Sequence, residues 1–258
     1  MSVAGGEGGS EARAQIHRWS NRLSPLGVIF LGFGLAVSTG VQNDAAFAAK
    51  RKAMVADQIV ARGVRDPLVL MAMSDVPRHL FVPAGAVGRA YEDSPLSIGE
   101  GQTISQPYIV ALMTECLALK GGEKVLEVGT GSGYQAAVLG RIAATVFSVE
   151  INGPLALRAA SRLKRLGFGN VHVRSGDGFF GWAEEAPFDA VIVTAAAPEV
   201  PPALFAQLAE SGRLVIPLGD VRTFQRLTVI TKRNGKPRIG QVLDVRFVPM
   251  TGEILKKK

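Results

Sequence analysis

The sequence predicts an α/β protein. Its expected core is a doubly wound, mostly parallel seven-stranded sheet, with an N-terminal helical extension and an antiparallel strand pair at the C-terminal end. Three observations carry this. From Lys124 onward, short apolar runs alternate with segments of helical spacing, the pattern of a parallel sheet covered on both faces. The first of those runs, K-V-L-E-V, feeds directly into G-T-G-S-G, a strand entering a glycine-rich turn. The last two strand-like segments are separated by Asn234-Gly235, a hairpin signal too short for a parallel crossover.

The elements follow in order. Met54, Val55, Ile59 and Val60 recur at helical spacing within 49–61, and Gly63 supplies a stop. Asp66-Pro67 opens a second helix, with an N-cap and a proline in the first turn, running to about Ser74. Segments 76–83 and 91–101 are broken by prolines and glycines and read as irregular structure with short strands. The apolar stretch 108–119 is a helix. Strands are then expected at 124–128, 145–149, 171–174, 189–194, 213–217, 226–232 and 241–248, with helices at 134–142, 154–166 and 202–209.

The first 48 residues differ in kind. Arg13, His17, Arg18 and Arg22 precede an uncharged run, 23–43, with its apolar heart at 26–37, and Ala46-Phe47-Ala48 follows. This order reads as a signal-peptide-like leader, cleaved after Ala48, and hence as an exported or periplasmic protein. An uncleaved membrane anchor and a true start at Met54 are the competing readings, the last implying a cytoplasmic protein. The remainder, 49–258, is expected to be one domain, with 49–120 as a substrate-loop part and 121–258 as the cofactor-binding sheet.

The formal charge of +7 is a property of the ends. Residues 1–52 and the terminal Lys256 to Lys258 hold the excess, leaving 20 basic and 19 acidic residues between Ala53 and Leu255. A near-neutral body lacks the clustered Lys and Arg of a nucleic-acid binder. Cys116 is the only cysteine, and His17, His79 and His172 stand far apart, so neither a disulfide nor a metal site is expected. Membrane contact is expected only through a retained leader, and the protein is expected to be a monomer.

In an open α/β sheet, ligands bind outside the carboxyl ends of the strands. Gly129, Gly131, Ser132 and Gly133 follow the first strand, with Glu127 just inside it. Glu150 ends the second strand, 19 residues beyond Gly131, the spacing of a carboxylate that takes ribose hydroxyls. Asp177 and Gly178 follow the third, Asp177 being placed to accept from an exocyclic adenine amine; Thr194 and small residues follow the fourth. The loop is G-x-G-x-G rather than the G-x-G-x-x-G of dinucleotide sites. An acidic residue beside it suits a ligand carrying an ammonium group and no phosphate, as S-adenosylmethionine does.

G-Q-T-I-S-Q-P at 101–107, V-L-E-V-G-T-G-S-G-Y-Q-A-A-V-L, G-D-G, F-D-A-V-I-V-T-A-A-A-P-E-V-P and V-R-F-V-P together resemble the protein-L-isoaspartate O-methyltransferase family, over about 54–253. The resemblance implies a Rossmann-like class I methyltransferase fold. It also implies methyl transfer from S-adenosylmethionine, leaving S-adenosylhomocysteine, to the free carboxylate of L-isoaspartyl and D-aspartyl residues in damaged proteins, whose ester then collapses to succinimide. By the same resemblance Ser105 is the active-site residue, with Thr103 and Ile104 shaping the loop over the cofactor. Taken alone, Ser105 before Pro107 reads equally as a helix N-cap. Glu100 and the leader depart from the family pattern. Methylation of RNA or of a small metabolite is the alternative enzyme reading, and an inactive binding module the non-enzyme one.

Overall fold

The computed structural model describes residues 45–220 and 222–256. The proposed leader, save its last four residues, lies outside them.

The N-terminal segment wraps one face of the sheet. Helix α1, 45–53, continues through wider π-type turns, Met54–Ile59, and a tight turn, Val60–Arg62, to a left-handed Gly63. Helix α2, Pro67–Asp75, begins as its sequence dictates: Asp66 Oδ1 accepts from the N–H groups of Leu68 and Val69, and Pro67 needs no partner at the first position. Two short turns, Arg78–Phe81 and Ala84–Arg89, lead to a separate hairpin of β1, Leu96–Gly99, and β2, Gln102–Ile104. Helix α3, Pro107–Leu117, follows. Its N-cap is Gln106, not Ser105, and no side chain caps it. The bland reading of Ser105 as a capping residue is therefore excluded.

The main sheet has the order β5-β4-β3-β6-β7-β8-β9. Strands β3 (Lys124–Val128), β4 (Thr145–Glu150), β5 (Val171–Ser175), β6 (Phe188–Val193) and β7 (Leu208–Leu218) are parallel. β8 (Gln225–Arg233) and β9 (Lys236–Val245) complete it antiparallel. Helices α4 (Tyr134–Gly140), α5 (Gly153–Arg165) and α6 (Pro202–Ala206) connect the parallel strands. Each central strand sends alternate side chains to opposite faces, so two apolar cores form. Val125, Val146, Ala190 and Val215 join residues of α2, α3 and α4 on one face; Leu126, Val128, Phe147 and Val191 join Phe179 and Leu204 on the other.

Seven strands in this arrangement match the sequence expectation, with shifts of boundary, of which three are instructive. The helix expected at 202–209 stops at Ala206, because Leu208 already pairs with Phe188 to begin β7. The helix expected to reach 142 ends at Gly140, where Arg141 caps it. The last strand runs 236–245 rather than 241–248. The hairpin turn pairs it from Lys236 onward, with Asn234 and Gly235 at φ 52° and 70° and their N–H groups held by Glu210. No helix among the described residues is long and apolar enough to cross a membrane.

Candidate active site

The chain reverses its winding between β3 and β6, and the carboxyl ends of these strands open a crevice there. The crevice is a cleft of about 860 Å³, including space open to solvent.

The floor of the cleft is the glycine loop. Gly129, Gly131 and Gly133 all take positive φ (100°, 53° and 85°), a region closed to most side-chain-bearing residues. Gly129 is further constrained by packing. A Cβ there would stand 2.4 Å from Thr194 Oγ1, which donates instead to the Gly129 carbonyl at 2.7 Å. Gly133 lies behind the cleft, where a Cβ would press on Leu163 and Ala159 of α5 at 3.3 and 3.4 Å. It closes the helix against the loop and does not line the site.

Glu150 ends β4 with only 5% of its surface exposed. Its two oxygens accept from the N–H of Gly131 at 2.8 Å and of Asn152 at 2.9 Å, which aims the carboxylate along the wall of the cleft. Thr103, Ile104 and Ser105 line the opposite side, carried there by the β1–β2 hairpin. Ile98 of that hairpin reaches within 3.4 Å of where a Gly131 Cβ would lie, so the hairpin covers the loop. Its tip, Gly99-Glu100-Gly101, is entirely left-handed, and Glu100 forms a 3.4 Å ion pair with Arg158 of α5.

Two expected ligands are placed differently. Glu127 is fully buried beneath the loop and is not among the residues lining the cleft. Its Oε2 accepts from Ser148 Oγ at 2.5 Å, and Ser148 in turn meets Thr130 Oγ1 at 2.5 Å; Thr130 does line the cleft. Oε1 has no partner, and burial, only partly opposed by the Ser148 bond, pushes this carboxyl up to about 8. Asp177 is likewise occupied with the backbone. Its Oδ1 accepts from Phe179 N–H and its Oδ2 from Glu253 N–H at 2.7 Å, so it ties the C-terminal segment down while its neighbour Gly178 lines the cleft.

That C-terminal segment is the contribution the sequence reading did not assign. Val248, Pro249, Met250 and Thr251 line the cleft. They are seated by bonds between Ala196 and both Val248 and Met250, and by Phe247 N–H donating to buried Gln225. The small run Ala195-Ala196-Ala197 was the available signal, since only small residues admit a second backbone so close.

A second cleft, about 1350 Å³ including open space, adjoins the first and shares Thr103, Ser105, Thr194 and Val248 with it. Arg62 and Arg246 stand on its walls. Arg62 lies 3.5 Å from the Tyr108 ring centroid and pairs with Asp93; Arg246 lies 5.2 Å from the Phe224 ring centroid. The cleft over the glycine loop thus meets a wider groove bearing two arginines, with Ser105, Thr103, Thr194 and Val248 on the boundary between them.

The family model for protein-L-isoaspartate(D-aspartate) O-methyltransferase matches residues 49–255. The chain belongs to this family. It is 56% identical over 206 residues to a protein-L-isoaspartate O-methyltransferase 2 of Shewanella sediminis, covering 80% of this chain and 84% of that one. It is 55% identical over 204 residues to the protein-L-isoaspartate O-methyltransferase of Opitutus terrae, covering 79% and 88%. A solved protein-L-isoaspartate O-methyltransferase superposes with a TM-score of 0.73 at 32% identity, over 79% of this chain and 67% of that one. A Plasmodium falciparum structure described by the same activity, in complex with S-adenosyl-L-homocysteine, gives 0.68 at 29% identity, over 78% and 98%. The protein is thus an S-adenosylmethionine-dependent carboxyl methyltransferase acting on isoaspartyl residues, and RNA or small-metabolite methylation is not favoured.

The cleft suits that cofactor on its own terms. Gly129 and Gly131 present bare backbone to the cleft, which allows close approach of a ligand, and a nearly buried carboxylate at the end of β4 suits a pair of ribose hydroxyls.

Proposed function

We propose that Ser105 orients the acceptor carboxylate at the mouth between the two clefts, while the rest of the machinery holds the reactants and keeps water out. The observation that carries this is the shared wall: Ser105, Thr103, Thr194 and Val248 border both spaces. A carboxylate with a pKa near 4 is already ionised at neutral pH, so no base is needed to generate it. The bound sulfonium supplies an activated methyl group. What remains for the protein is alignment and desolvation, which favour a step in which opposite charges cancel.

In this reading Glu150 takes the ribose hydroxyls and Gly129, Gly131 and Ser132 give the close backbone surface. Thr103 and Ile104 close over the cofactor from the hairpin, and Thr194 and Gly178 shape the remaining wall. Glu127 acts from behind, through Ser148 and Thr130, and Asp177 acts by seating the segment after Val248. The Ser105 hydroxyl donates to the acceptor and attacks nothing. The wider groove receives the polypeptide around the damaged residue, with Arg62 and Arg246 drawing the carboxylate in.

The decisive experiment incubates the enzyme with methyl-labelled S-adenosylmethionine and paired peptides carrying isoaspartate or aspartate at one position. Base-labile methyl ester on the isoaspartyl peptide alone is expected; equal labelling of both refutes the groove assignment.

We further propose that residues 1–48 form an export leader and that the working enzyme begins at Ala49, acting as a monomer. The family match begins at residue 49, which supports this boundary. Against it stands Phe47, whose ring stacks on His79 with centroids 4.0 Å apart, a contact that cleavage would remove. N-terminal sequencing of the protein from fractionated cells decides. A periplasmic chain starting at Ala49 upholds the leader, and a cytoplasmic chain keeping Phe47 or starting at Met54 refutes it. Light scattering tests the monomer.

A further inference from the structure

Arg78 is completely buried, a rare state for an arginine, which almost never leaves water without a paired charge. No carboxylate among the described residues forms an ion pair with it. Its Nε donates to the Ala90 carbonyl at 2.8 Å and its Nη2 to the Ser105 carbonyl at 2.7 Å, while Nη1 has no hydrogen bond of normal geometry. The guanidinium carbon lies 4.9 Å from the ring centroid of Tyr134, a side chain that lines the cofactor cleft. Burial pulls its pKa below the ordinary arginine value, and the Tyr134 side chain partly offsets this. An apolar residue of similar size would fill this space without that desolvation cost.

The position of the second bond gives the cost a use. A trans peptide points its N–H opposite to its C=O. Holding the Ser105 carbonyl inward therefore turns the Gln106 N–H outward, where it meets no acceptor among the described residues. Gln106 and Ser105 both line the acceptor groove.

We propose that Arg78 is a positioning residue for methyl transfer: by gripping the Ser105 carbonyl, it aims the Ser105 hydroxyl and the Gln106 N–H together at the acceptor carboxylate. It touches neither substrate nor cofactor. The inference rests on the orienting role of Ser105 and deepens it, adding a second donor and naming what holds both in place.

The test is a double-mutant cycle of Arg78→Met and Ser105→Ala, read as kcat and KM for an isoaspartyl peptide and, separately, as the affinity for S-adenosylhomocysteine by calorimetry. Losing a hydrogen bond to a charged group costs about 10- to 100-fold in the affected step. Arg78→Met is expected to lower kcat/KM for the peptide by roughly that factor, with S-adenosylhomocysteine affinity within about threefold of the parent enzyme. In the Ser105→Ala background its effect should shrink severalfold, because the hydroxyl it aims is gone. Fully multiplicative effects, or parallel losses of peptide turnover and S-adenosylhomocysteine affinity, overturn the proposal and leave the Ser105 reading standing. A Ser105→Ala enzyme with parental turnover overturns that reading instead. If Arg78→Met fails to fold, Arg78→Lys takes its place in the cycle. It keeps the charge but not the two-pronged fork, and parental kcat in that variant overturns the proposal.

Discussion

Replacing Glu127 by glutamine should reverse the order of stability between mutant and parent as pH rises. The carboxyl is wholly buried, its Oε1 lacks a partner, and desolvation raises it to about 8 against the ordinary 4.5; the Ser148 bond opposes this and the Glu150 charge adds to it. Between those values the folded chain keeps a proton that the unfolded chain has released. Stability is therefore greatest below about pH 4.5 and is lost as pH rises toward 8, at up to ~1.4 kcal/mol per pH unit, or ~5 kcal/mol in all as an upper bound. Glutamine cannot ionise, so it escapes this loss, but it places an amide donor where Oε1 has no partner, costing about 1–3 kcal/mol. The two lines should cross near about pH 6, with Glu127→Gln less stable at pH 5 and more stable at pH 8. Urea unfolding of both proteins at pH 5, 6, 7 and 8 measures the difference directly, and other titrating groups cancel between them. Stability lines that stay parallel across that range would refute the claim that Glu127 is protonated in the fold.

Four further outcomes are expected. Ser105→Ala should cut turnover about 10-fold or more while shifting the melting temperature by no more than about 2 °C, because Gln106 and not Ser105 stands at the helix N-cap; equal losses in both would refute its orienting role. Gly129→Ala should weaken S-adenosylhomocysteine binding at least about 10-fold by calorimetry, since a Cβ at φ 100° and 2.4 Å from Thr194 Oγ1 forces the loop or the threonine to move. Glu150→Gln should lower the same affinity by about 10-fold and leave the peptide KM nearly unchanged, a split that a general folding defect would not give. Arg246→Ala should raise the peptide KM severalfold with little change in kcat, and the gap should close at high salt, as expected for an exposed cation that attracts a carboxylate.

The cofactor half was legible because its constraints are local. Glycines at alternate positions dictate a tight backbone turn, and an acidic residue ending the next strand faces it: Gly129, Gly131 and Gly133 take positive φ, and Glu150 accepts from the Gly131 N–H. The acceptor half was less legible because it is assembled from distant chain. Val248 reaches the cleft only by bonding to Ala196, and nothing in V-R-F-V-P by itself announces that pairing. Strand β9 was displaced by five residues at its start because Lys236 to Gly240 is polar, exposed and contains Pro237. Such a segment carries no apolar alternation, and the turn alone recruits it as an edge strand. Glu127 shows a third limit: spacing placed a carboxylate at the right strand end, but the alternation of that strand turns it beneath the loop, on the same face as Val125.

These limits point to how the two halves are coupled. The parallel strands and the glycine loop form a site that requires nothing from residues 76–106 except the hairpin lying over it. The acceptor groove, by contrast, takes walls from the N-terminal segment, from β9 and from the chain beyond it. Only a few residues belong to both spaces, and two of them, Thr103 in the last strand of the hairpin and Ser105 on its connection to α3, lie within three positions of each other. Any motion of that connection must therefore change cofactor enclosure and acceptor alignment together. Arg78 holds it from inside and the Glu100–Arg158 pair from outside, the first deeply buried and costly to break, the second half-exposed and worth at most ~1 kcal/mol. Of the two ties, the hairpin tip has the weaker one, and Ser105 is anchored through its carbonyl by the buried Arg78.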